Sequence, residues 1–317
     1  MLTIALYICR HTVCSSLSMA MDAFALANRL AERPLFRLQR VSLDGQAVDL
    51  GFALVQVDGD LHLAETADLV LLPASGSAID ELLADNAALL PWLAQRPARQ
   101  QLASLCSGAF LLAGAGVLDG RRATTHWALA GQFRQRFARV ELQIEQLLCQ
   151  DGNLLSSGGA HAGLDLCLHL IGQHGGEWLA QQVANALVFD TQRGRQSRYA
   201  PLLPPLTSHD NQLAPLLQWM HRHHGEAIDL QRLAAQANCS SRTLLRRFKA
   251  STGLTPNDYL QRLRISAAQR ALRQPTASLE QIAAQVGYAD RATFAKLFKQ
   301  LCGETPGAFR RRMRQST

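Results

Sequence analysis

Apolar and polar positions alternate along residues 1–190 in two distinct ways. Short apolar runs of strand length are separated by longer stretches in which apolar residues recur every three or four positions. These patterns predict strands at Leu2–Ile8, Leu69–Pro73, Gln101–Cys106 and Asn153–Ser156, and helices at Ser18–Ala31, Ala78–Leu90, Ser107–Ala115, Ala162–Gln173 and Gly175–Leu187. Strands that alternate with helices are typical of an α/β domain built on a doubly wound, mainly parallel sheet.

The pattern changes after residue 190. Residues 191–210 are polar and contain three prolines, which is typical of a linker. From Asn211 onward the periodicity is helical throughout. We therefore predict an α/β domain over residues 1–190, a linker over 191–210 and an all-α domain over 211–317.

The helical part repeats itself at an offset of 50 residues. In each copy a glycine can end a helix in the left-handed conformation, and a Thr-Pro pair can begin the next one. Each copy also contains two short helices around a turn of three or four residues, which predicts a helix-turn-helix unit. The helices are Asp229–Ala237 and Ser241–Ala250 in the first copy, and Leu279–Val286 and Arg291–Leu301 in the second.

Charge separates the two parts of the chain. Residues 1–209 carry 15 basic and 18 acidic residues, whereas residues 210–317 carry 17 basic and 7 acidic ones. A compact basic module predicts binding to double-stranded DNA, with the second helix of each unit in the major groove. The candidate DNA-binding residues are Ser240, Arg242, Thr243, Arg246, Lys249, Arg291, Thr293, Lys296 and Lys299. Further phosphate contacts are expected from Arg262, Arg264 and Arg310–Arg312.

Residues 212–314 resemble the DNA-binding domain of the AraC/XylS family of bacterial transcription regulators. The second copy carries the resemblance in the string Ile282-Ala283-x-x-Val286-Gly287-Tyr288-x-Asp290-x-x-x-Phe294-x-x-x-Phe298-Lys299-x-x-x-Gly303-x-Thr305-Pro306. The resemblance implies two helix-turn-helix units on a connecting helix near Pro256–Arg273, so that one chain reads two successive major grooves. It also implies RNA polymerase as a partner and favours activation of transcription.

The segment Ser104–Phe110 is the candidate for chemistry in the first part of the chain. Cys106 stands where an apolar strand runs into a helix opened by small residues, which predicts a nucleophile elbow. The helix N-terminus is expected to lower the pKa of the thiol. The loop at Ser75 and the imidazole of His126 are expected nearby. The candidate effector-binding residues are Asp22, Ser75, Gly76, Cys106, Ser107, His126 and Trp127.

Residues 1–190 resemble the amidotransferase-like superfamily in its PfpI branch, and most of all the sensor domain of GlxA-type AraC regulators. The resemblance rests on residues 106–113, 118–127 and 157–166. It implies an effector among amino acids, quaternary ammonium compounds or similar nitrogenous metabolites. Three positions depart from the pattern of the PfpI enzymes: Ser107 replaces a histidine, Ser104 replaces a glycine, and the shorter Asp22 replaces a glutamate.

Three functions remain open from the sequence. The preferred one is a homodimeric regulator whose α/β domain senses a metabolite. The others are a cysteine-dependent hydrolase or hydratase tethered to DNA, and a scaffold whose α/β domain only dimerises. Cys106 is either a nucleophile or an inert buried thiol, and His126 has either a pocket role or a structural one. Trp127 either packs in the core or offers its face to a cation.

Several classes are disfavoured by composition. Seven scattered cysteines without a Cys-x-x-Cys pair argue against disulfides and a zinc site and favour a reducing cytoplasm. The run His221, His223, His224 lacks a further ligand at a suitable spacing and is interpreted as a solvated helix end. We expect no cofactor, no metal and no membrane span, and we interpret Met1–Ile8 as a strand rather than a secretion signal.

Overall fold

The computed structural model of the protein describes residues 1–191, 193, 196, 202–203, 213–274 and 277–315. The chain divides into two compact units, Met1–Gln196 and Ser197–Thr317. The predicted linker at residues 191–210 lies largely outside the described residues, so the domain ranges derived from the sequence stay predictions.

The first unit is an α/β fold with a mainly parallel sheet, as predicted. In the described part of the chain, its main sheet has the strand order β2-β1-β5-β6-β10-β9, with only β9 antiparallel to its neighbour. The strands are β1 (Leu2–Tyr7), β2 (Phe36–Val41), β3 (Val48–Asp49), β4 (Leu54–Val55), β5 (Leu69–Leu72), β6 (Gln101–Leu105), β7 (Arg122–Ala123), β8 (Glu141–Leu142), β9 (Leu148–Asp151) and β10 (Leu154–Ser157). Both β2 and β9 are edge strands that the apolar runs did not predict.

Helices cover both faces of this sheet. They are α1 (Cys14–Leu30), α2 (Leu61–Ala64), α3 (Ile79–Asp85), α4 (Leu89–Ala94), α5 (Ala109–Gly114), α6 (Ala130–Arg136), α7 (Ala162–Gly175) and α8 (Glu177–Ala186). The predicted single helix at residues 78–90 is wrong, because α3 ends at Asp85 with Asn86 as its cap, and α4 begins only at Leu89. The Asn86 side chain donates to Leu82 O at 2.8 Å and accepts from the Tyr7 hydroxyl.

The alternation of side chains along β1 explains the two apolar layers. Ile4 and Leu6 pack with α1, α7 and α8, whereas Ala5 and Tyr7 pack on the opposite face with α3–α5. A strand buried on both faces is apolar at every position, which is why β1 was recognisable as a continuous run.

The second unit is all-α and contains two helix-turn-helix units, as predicted. Its helices are α9 (Ala214–His223), α10 (Leu230–Gln236), α11 (Ser241–Thr252), α12 (Pro256–Leu272), α13 (Leu279–Gln285), α14 (Arg291–Cys302) and α15 (Pro306–Gln315). One core surrounds Phe248 and another surrounds Phe298, and α12 contributes to both. Across the described residues, no helix is both long and apolar enough to cross a membrane.

Candidate functional site

Cys106 lies directly after β6 in a strained turn at the carboxyl edge of the sheet. Its φ of +55° lies in the left-handed region, which non-glycine residues rarely adopt. The Thr125 hydroxyl donates to Cys106 O at 2.8 Å, and the Ser75 N–H donates to Ser107 Oγ at 2.8 Å. The strand-to-helix elbow predicted from the sequence is therefore present, and hydrogen bonds from two neighbouring loops hold it in place.

Gly108 allows the elbow to approach the end of β5. A Cβ at this position would lie 2.6 Å from Leu72 O and 2.7 Å from Pro73 O, which is closer than real Cβ contacts occur. Only glycine therefore fits without a shift of the backbone.

The Cys106 thiol does not have the electrostatics expected from the sequence. Burial raises the pKa of this thiol, although hydrogen bonds from the Ser107 backbone and side chain partly offset the rise. The expectation of a lowered pKa is wrong, because desolvation of the thiolate outweighs the donors at the helix N-terminus. A raised pKa favours the protonated thiol over the thiolate.

The His126 ring is committed to the backbone beside it. Its Nδ1 accepts from the Ala128 N–H at 3.1 Å, so the proton of the neutral ring resides on Nε2. Burial lowers the pKa of His126, which favours that neutral form. Trp127 is half-buried, with its ring centroid 5.0 Å from that of His126. In the described residues, neither the His126 ring nor Asp22 is hydrogen-bonded to the Cys106 thiol.

Asp22 lies apart from the elbow, in a cavity of about 360 Å³ between the start of α1, the start of α7 and the chain after α8. Its side chain is exposed and makes no hydrogen bond or ion pair to any residue that the structure describes. The other six candidate effector residues do not line this cavity. Its lining is Ser15, Ser16, Ser18, Met19, Asp22, Ala160, His161, Leu164, Leu187 and Phe189.

Each recognition helix of the second unit begins with a side-chain cap. The Ser240 hydroxyl accepts from the Thr243 N–H at 3.3 Å, and the two hydroxyls lie 2.9 Å apart. The Asp290 carboxylate accepts from both the N–H and the hydroxyl of Thr293 at 2.7 Å. Ser240, Thr243 and Thr293 therefore stabilise the helix starts, and their contact with DNA stays a prediction.

The predicted apolar and basic faces of the recognition helices are both present. Leu244 and Phe248 of α11, and Phe294 and Phe298 of α14, are fully buried. The basic side chains on the opposite faces are exposed, namely Arg242, Arg246, Lys249, Arg291, Lys296 and Lys299. Their arrangement forms two cationic helix faces of the kind that enter the major groove.

One member of this set is engaged within the protein. The Arg291 guanidinium forms an ion pair with Glu280 on the preceding helix α13. An exposed pair of this kind is weak and exchanges readily with solvent or phosphate. Arg291 can therefore reach DNA only after it leaves its carboxylate.

Some arginines expected at phosphate have structural roles. Arg264 donates to His224 O at 2.8 Å and to Glu226 O at 2.7 Å, and its guanidinium lies 5.4 Å from the centre of the Tyr288 ring. Arg310 donates to Ala277 O at 2.8 Å. These contacts give both arginines a structural role within the unit, and their contact with phosphate stays a prediction.

The histidine run is likewise engaged within the unit. His221 Nε2 lies 3.2 Å from the Tyr259 hydroxyl, His223 pairs with Glu226 at 2.6 Å, and His224 Nδ1 lies 2.8 Å from His221 O. Each ring therefore has its own partner close to the end of α9.

Sequence reasoning missed the polar residues that follow α8. Gln196 leaves only 2% of its surface exposed to solvent, and its amide nitrogen contacts three oxygens of the first unit. Arg193 donates to His161 O at 3.0 Å and forms an ion pair with Asp165. The surrounding sequence has no hydrophobic period, so it gave no signal that two of its side chains contact the first unit.

Comparisons with known proteins match both units. The DJ-1/PfpI family model matches residues 16–173, and a helix-turn-helix domain model matches residues 233–312. The HTH-type transcriptional regulator GlxA of Rhizobium meliloti (strain 1021) is 30% identical over 310 residues, which cover 96% of this chain and 94% of the relative. The regulator GbdR of Pseudomonas aeruginosa (strain UCBPP-PA14) is 29% identical over 295 residues, which cover 92% of this chain and 79% of the relative.

A solved structure agrees with the fold of the first unit. A putative transcriptional regulator protein from Vibrio parahaemolyticus superposes with a TM-score of 0.54 at 20% identity, covering 59% of this chain and 98% of that one. Two basic helix-turn-helix units joined to a DJ-1/PfpI-like α/β unit define a DNA-binding transcription regulator. The chain belongs to the GlxA-type regulators of the AraC/XylS family.

Proposed function

We propose that a small metabolite bound by the α/β unit controls this regulator, and that the first unit is a sensor rather than an enzyme. The observation that carries the proposal is the cavity beside Asp22. It combines an exposed carboxylate with the apolar side chains of Met19, Leu164 and Phe189, which suits a small cation with an apolar portion. An amino acid or a quaternary ammonium compound has this chemistry.

The elbow supports the sensor more than the enzyme. A cysteine nucleophile needs a thiolate and a base within reach. Here burial raises the pKa of the Cys106 thiol, and the acceptor nitrogen of His126 is held by the Ala128 N–H. Cys106, Ser107, Ser75, Gly76, His126 and Trp127 then serve as further candidates for effector contact at the edge of the sheet.

The remaining parts of the proposal concern assembly and output. We propose a homodimer that activates transcription through contact with RNA polymerase. Dimerisation is supported by the exposed Trp178 of α8 and by Val188 beyond it, which leave 71% and 93% of their surfaces in solvent. Large exposed apolar side chains on neighbouring segments of the chain favour a protein interface.

Thermal denaturation against a panel of nitrogenous metabolites tests the sensor. A cationic effector should raise the Tm of the wild-type protein, and Asp22→Asn should lose most of that shift. Glu81→Gln on α3 removes a comparable exposed carboxylate away from the cavity and should keep the shift. If a metabolite stabilises Asp22→Asn as much as wild type, the Asp22 carboxylate does not take part in binding that metabolite.

Mass balance of the identified effector separates the sensor from the enzyme. The sensor returns the effector unchanged after long incubation with the protein. If wild type converts the effector and Cys106→Ala does not, the protein is instead a cysteine-dependent hydrolase or hydratase tethered to DNA.

A further inference from the structure

Two described residues beyond α8, Arg193 and Gln196, contact the α/β unit. The Arg193 guanidinium donates to His161 O, pairs with the Asp165 carboxylate and lies 4.3 Å from the centre of the Phe189 ring. Phe189 and His161 also line the Asp22 cavity. We call Phe189, Arg193 and Gln196 the strap. Arg193 fastens the strap to the start of α7, at the edge of the cavity.

Gln196 is the part of the strap that enters the protein. Its Nε2 lies 3.0 Å from Thr124 Oγ1, 2.9 Å from Thr125 O and 3.2 Å from Gln146 O. The Thr124 hydroxyl donates its own proton to Gln146 O at 3.0 Å, so toward Gln196 it is an acceptor. Three acceptors therefore converge on one nitrogen atom.

The carboxamide satisfies this site only in part. Its nitrogen carries two hydrogens for three acceptors, whereas a primary ammonium group carries three. Its Oε1 is buried and has no hydrogen-bond partner among the residues that the structure describes. The site therefore offers acceptors for an N–H donor but, within the part of the chain that the structure describes, no donor for the oxygen of an amide.

Neighbouring residues connect this site to the elbow. A Cβ on Gly158 would lie 2.6 Å from Gln196 Oε1, so glycine at this position leaves room for the carboxamide. The Thr125 hydroxyl donates to Cys106 O at 2.8 Å. Thr125 therefore contacts both Gln196, through its carbonyl, and the elbow, through its hydroxyl.

Position along the chain makes this contact relevant to regulation. Gln196 is the last residue of the first compact unit, and the chain continues from it toward the DNA-binding unit. Any ligand that takes the place of the carboxamide must displace Gln196 from Thr124, Thr125 and Gln146. Occupation of the site by a ligand and attachment of the strap are therefore mutually exclusive.

We propose that Gln196 is an intramolecular occupant of a nitrogen-binding site formed by Thr124, Thr125 and Gln146, and that a ligand with a primary ammonium group competes with it. This inference rests on the proposed sensor function and adds its mechanism of release. The ligand displaces Gln196 from the three acceptors, and loss of the ligand lets Gln196 return to them.

Chemical complementation in the full-length protein tests the site. Gln196→Gly removes a propionamide-sized side chain, and n-propylammonium matches the vacated carbon chain with an ammonium group at its end. We expect n-propylammonium to raise the Tm of Gln196→Gly by several degrees in a saturable manner. Wild type and Gln95→Gly, in which an exposed glutamine is removed, keep the competing carboxamide and should respond only at much higher n-propylammonium concentrations. Propionate, which has the same carbon chain but offers no N–H donor, should stabilise none of the three.

Trypsin cleavage after Arg193 reports attachment of the strap without any ligand. Gln196→Gly should be cleaved there about tenfold faster than wild type if opening of the strap limits cleavage. Gln196→Glu keeps the volume of the side chain but turns a carboxylate toward three acceptors, so it should also be cleaved faster. This second variant keeps the test valid if Gln196→Gly does not fold.

Two results would overturn the inference. One is a cleavage rate at Arg193 in both variants equal to that of wild type. The other is stabilisation of Gln196→Gly by propionate as strong as by n-propylammonium. Neither measurement uses DNA or the metabolite of the sensor, so the strap can fail while the sensor stands. Conversely, a metabolite panel without any hit on wild type would count against the sensor and leave these results intact.

Discussion

The salt dependence of DNA binding gives a quantitative test of the two recognition helices. Six exposed basic side chains lie on α11 and α14, and Arg291 among them is paired with Glu280. Each phosphate neutralised contributes about −0.9 to the slope of log K against log salt. Five to six contacts from these two helices therefore contribute about −4.5 to −5.4 to the slope, which corresponds to a loss of affinity of about 500- to 2,000-fold between 50 and 200 mM salt.

Single substitutions measure how much each basic side chain contributes to the slope of log K against log salt. Arg246→Ala and Lys296→Ala, at equivalent positions of the two copies, should each make the slope less steep by about 0.9. Arg291→Ala should change it by less, because the guanidinium exchanges Glu280 for phosphate and gains little. Glu280→Gln releases Arg291 and should raise affinity and steepen the slope.

Fluorescence anisotropy of the full-length protein on a short duplex of random sequence measures these slopes over the same salt range. The random duplex isolates phosphate contacts from base recognition. A slope that both Arg246→Ala and Lys296→Ala leave unchanged would refute the assignment of the two helices to DNA. A lower affinity of Glu280→Gln would refute the competition between Glu280 and phosphate for Arg291.

Two further predictions concern the elbow. Gly108→Ala should destabilise the protein by about 1–3 kcal/mol, because the added Cβ overpacks against the end of β5. Gly131→Ala on helix α6 is the control: its Cβ would meet nothing within 4 Å, so it should stabilise the protein by up to about 1 kcal/mol. Urea unfolding measures both changes, and equal effects would contradict the close approach of Gly108 to β5. Because burial raises the pKa of Cys106, its alkylation by a maleimide, followed peptide by peptide in a mass spectrometer, should keep accelerating above the ordinary cysteine pKa of about 8.5; a plateau below that pH would indicate an activated thiolate.

The parts predicted from the sequence are those in which local pattern and fold agree. β1 and β6 are buried on both faces, so their apolar runs were visible. The second unit repeats its caps and left-handed glycines, Gly253 and Gly303, at a fixed offset, and both adopt the expected positive φ. The position of Cys106 followed from the junction of strand and helix alone.

The parts that the sequence did not predict depend on contacts between distant residues. Edge strands β2 and β9 mix polar with apolar positions, so no continuous run marked them. The direction of the Cys106 pKa shift depends on how deeply the elbow is buried, which no local pattern reports. Gln196 reaches across 71 residues to Thr125 from a segment without periodicity.

The two copies of the helix-turn-helix unit differ in electrostatics although they share a fold. α11 begins with the neutral cap Ser240, followed by the exposed Arg242. α14 begins with the anionic cap Asp290, and its first basic residue, Arg291, is neutralised by Glu280. A carboxylate at the helix start opposes the attraction of that helix terminus for phosphate.

The first copy therefore has more free positive charge at the start of its second helix. Both copies retain basic residues one and two turns further along, at Arg246 and Lys249 in the first and at Lys296 and Lys299 in the second. Phosphate attraction is then spread along α11 but concentrated in the middle of α14. We therefore predict that the first copy contributes more to sequence-independent affinity, and that Arg291 contributes only where DNA offers a better partner than Glu280. A guanine edge, which accepts two hydrogen bonds from one guanidinium, is such a partner.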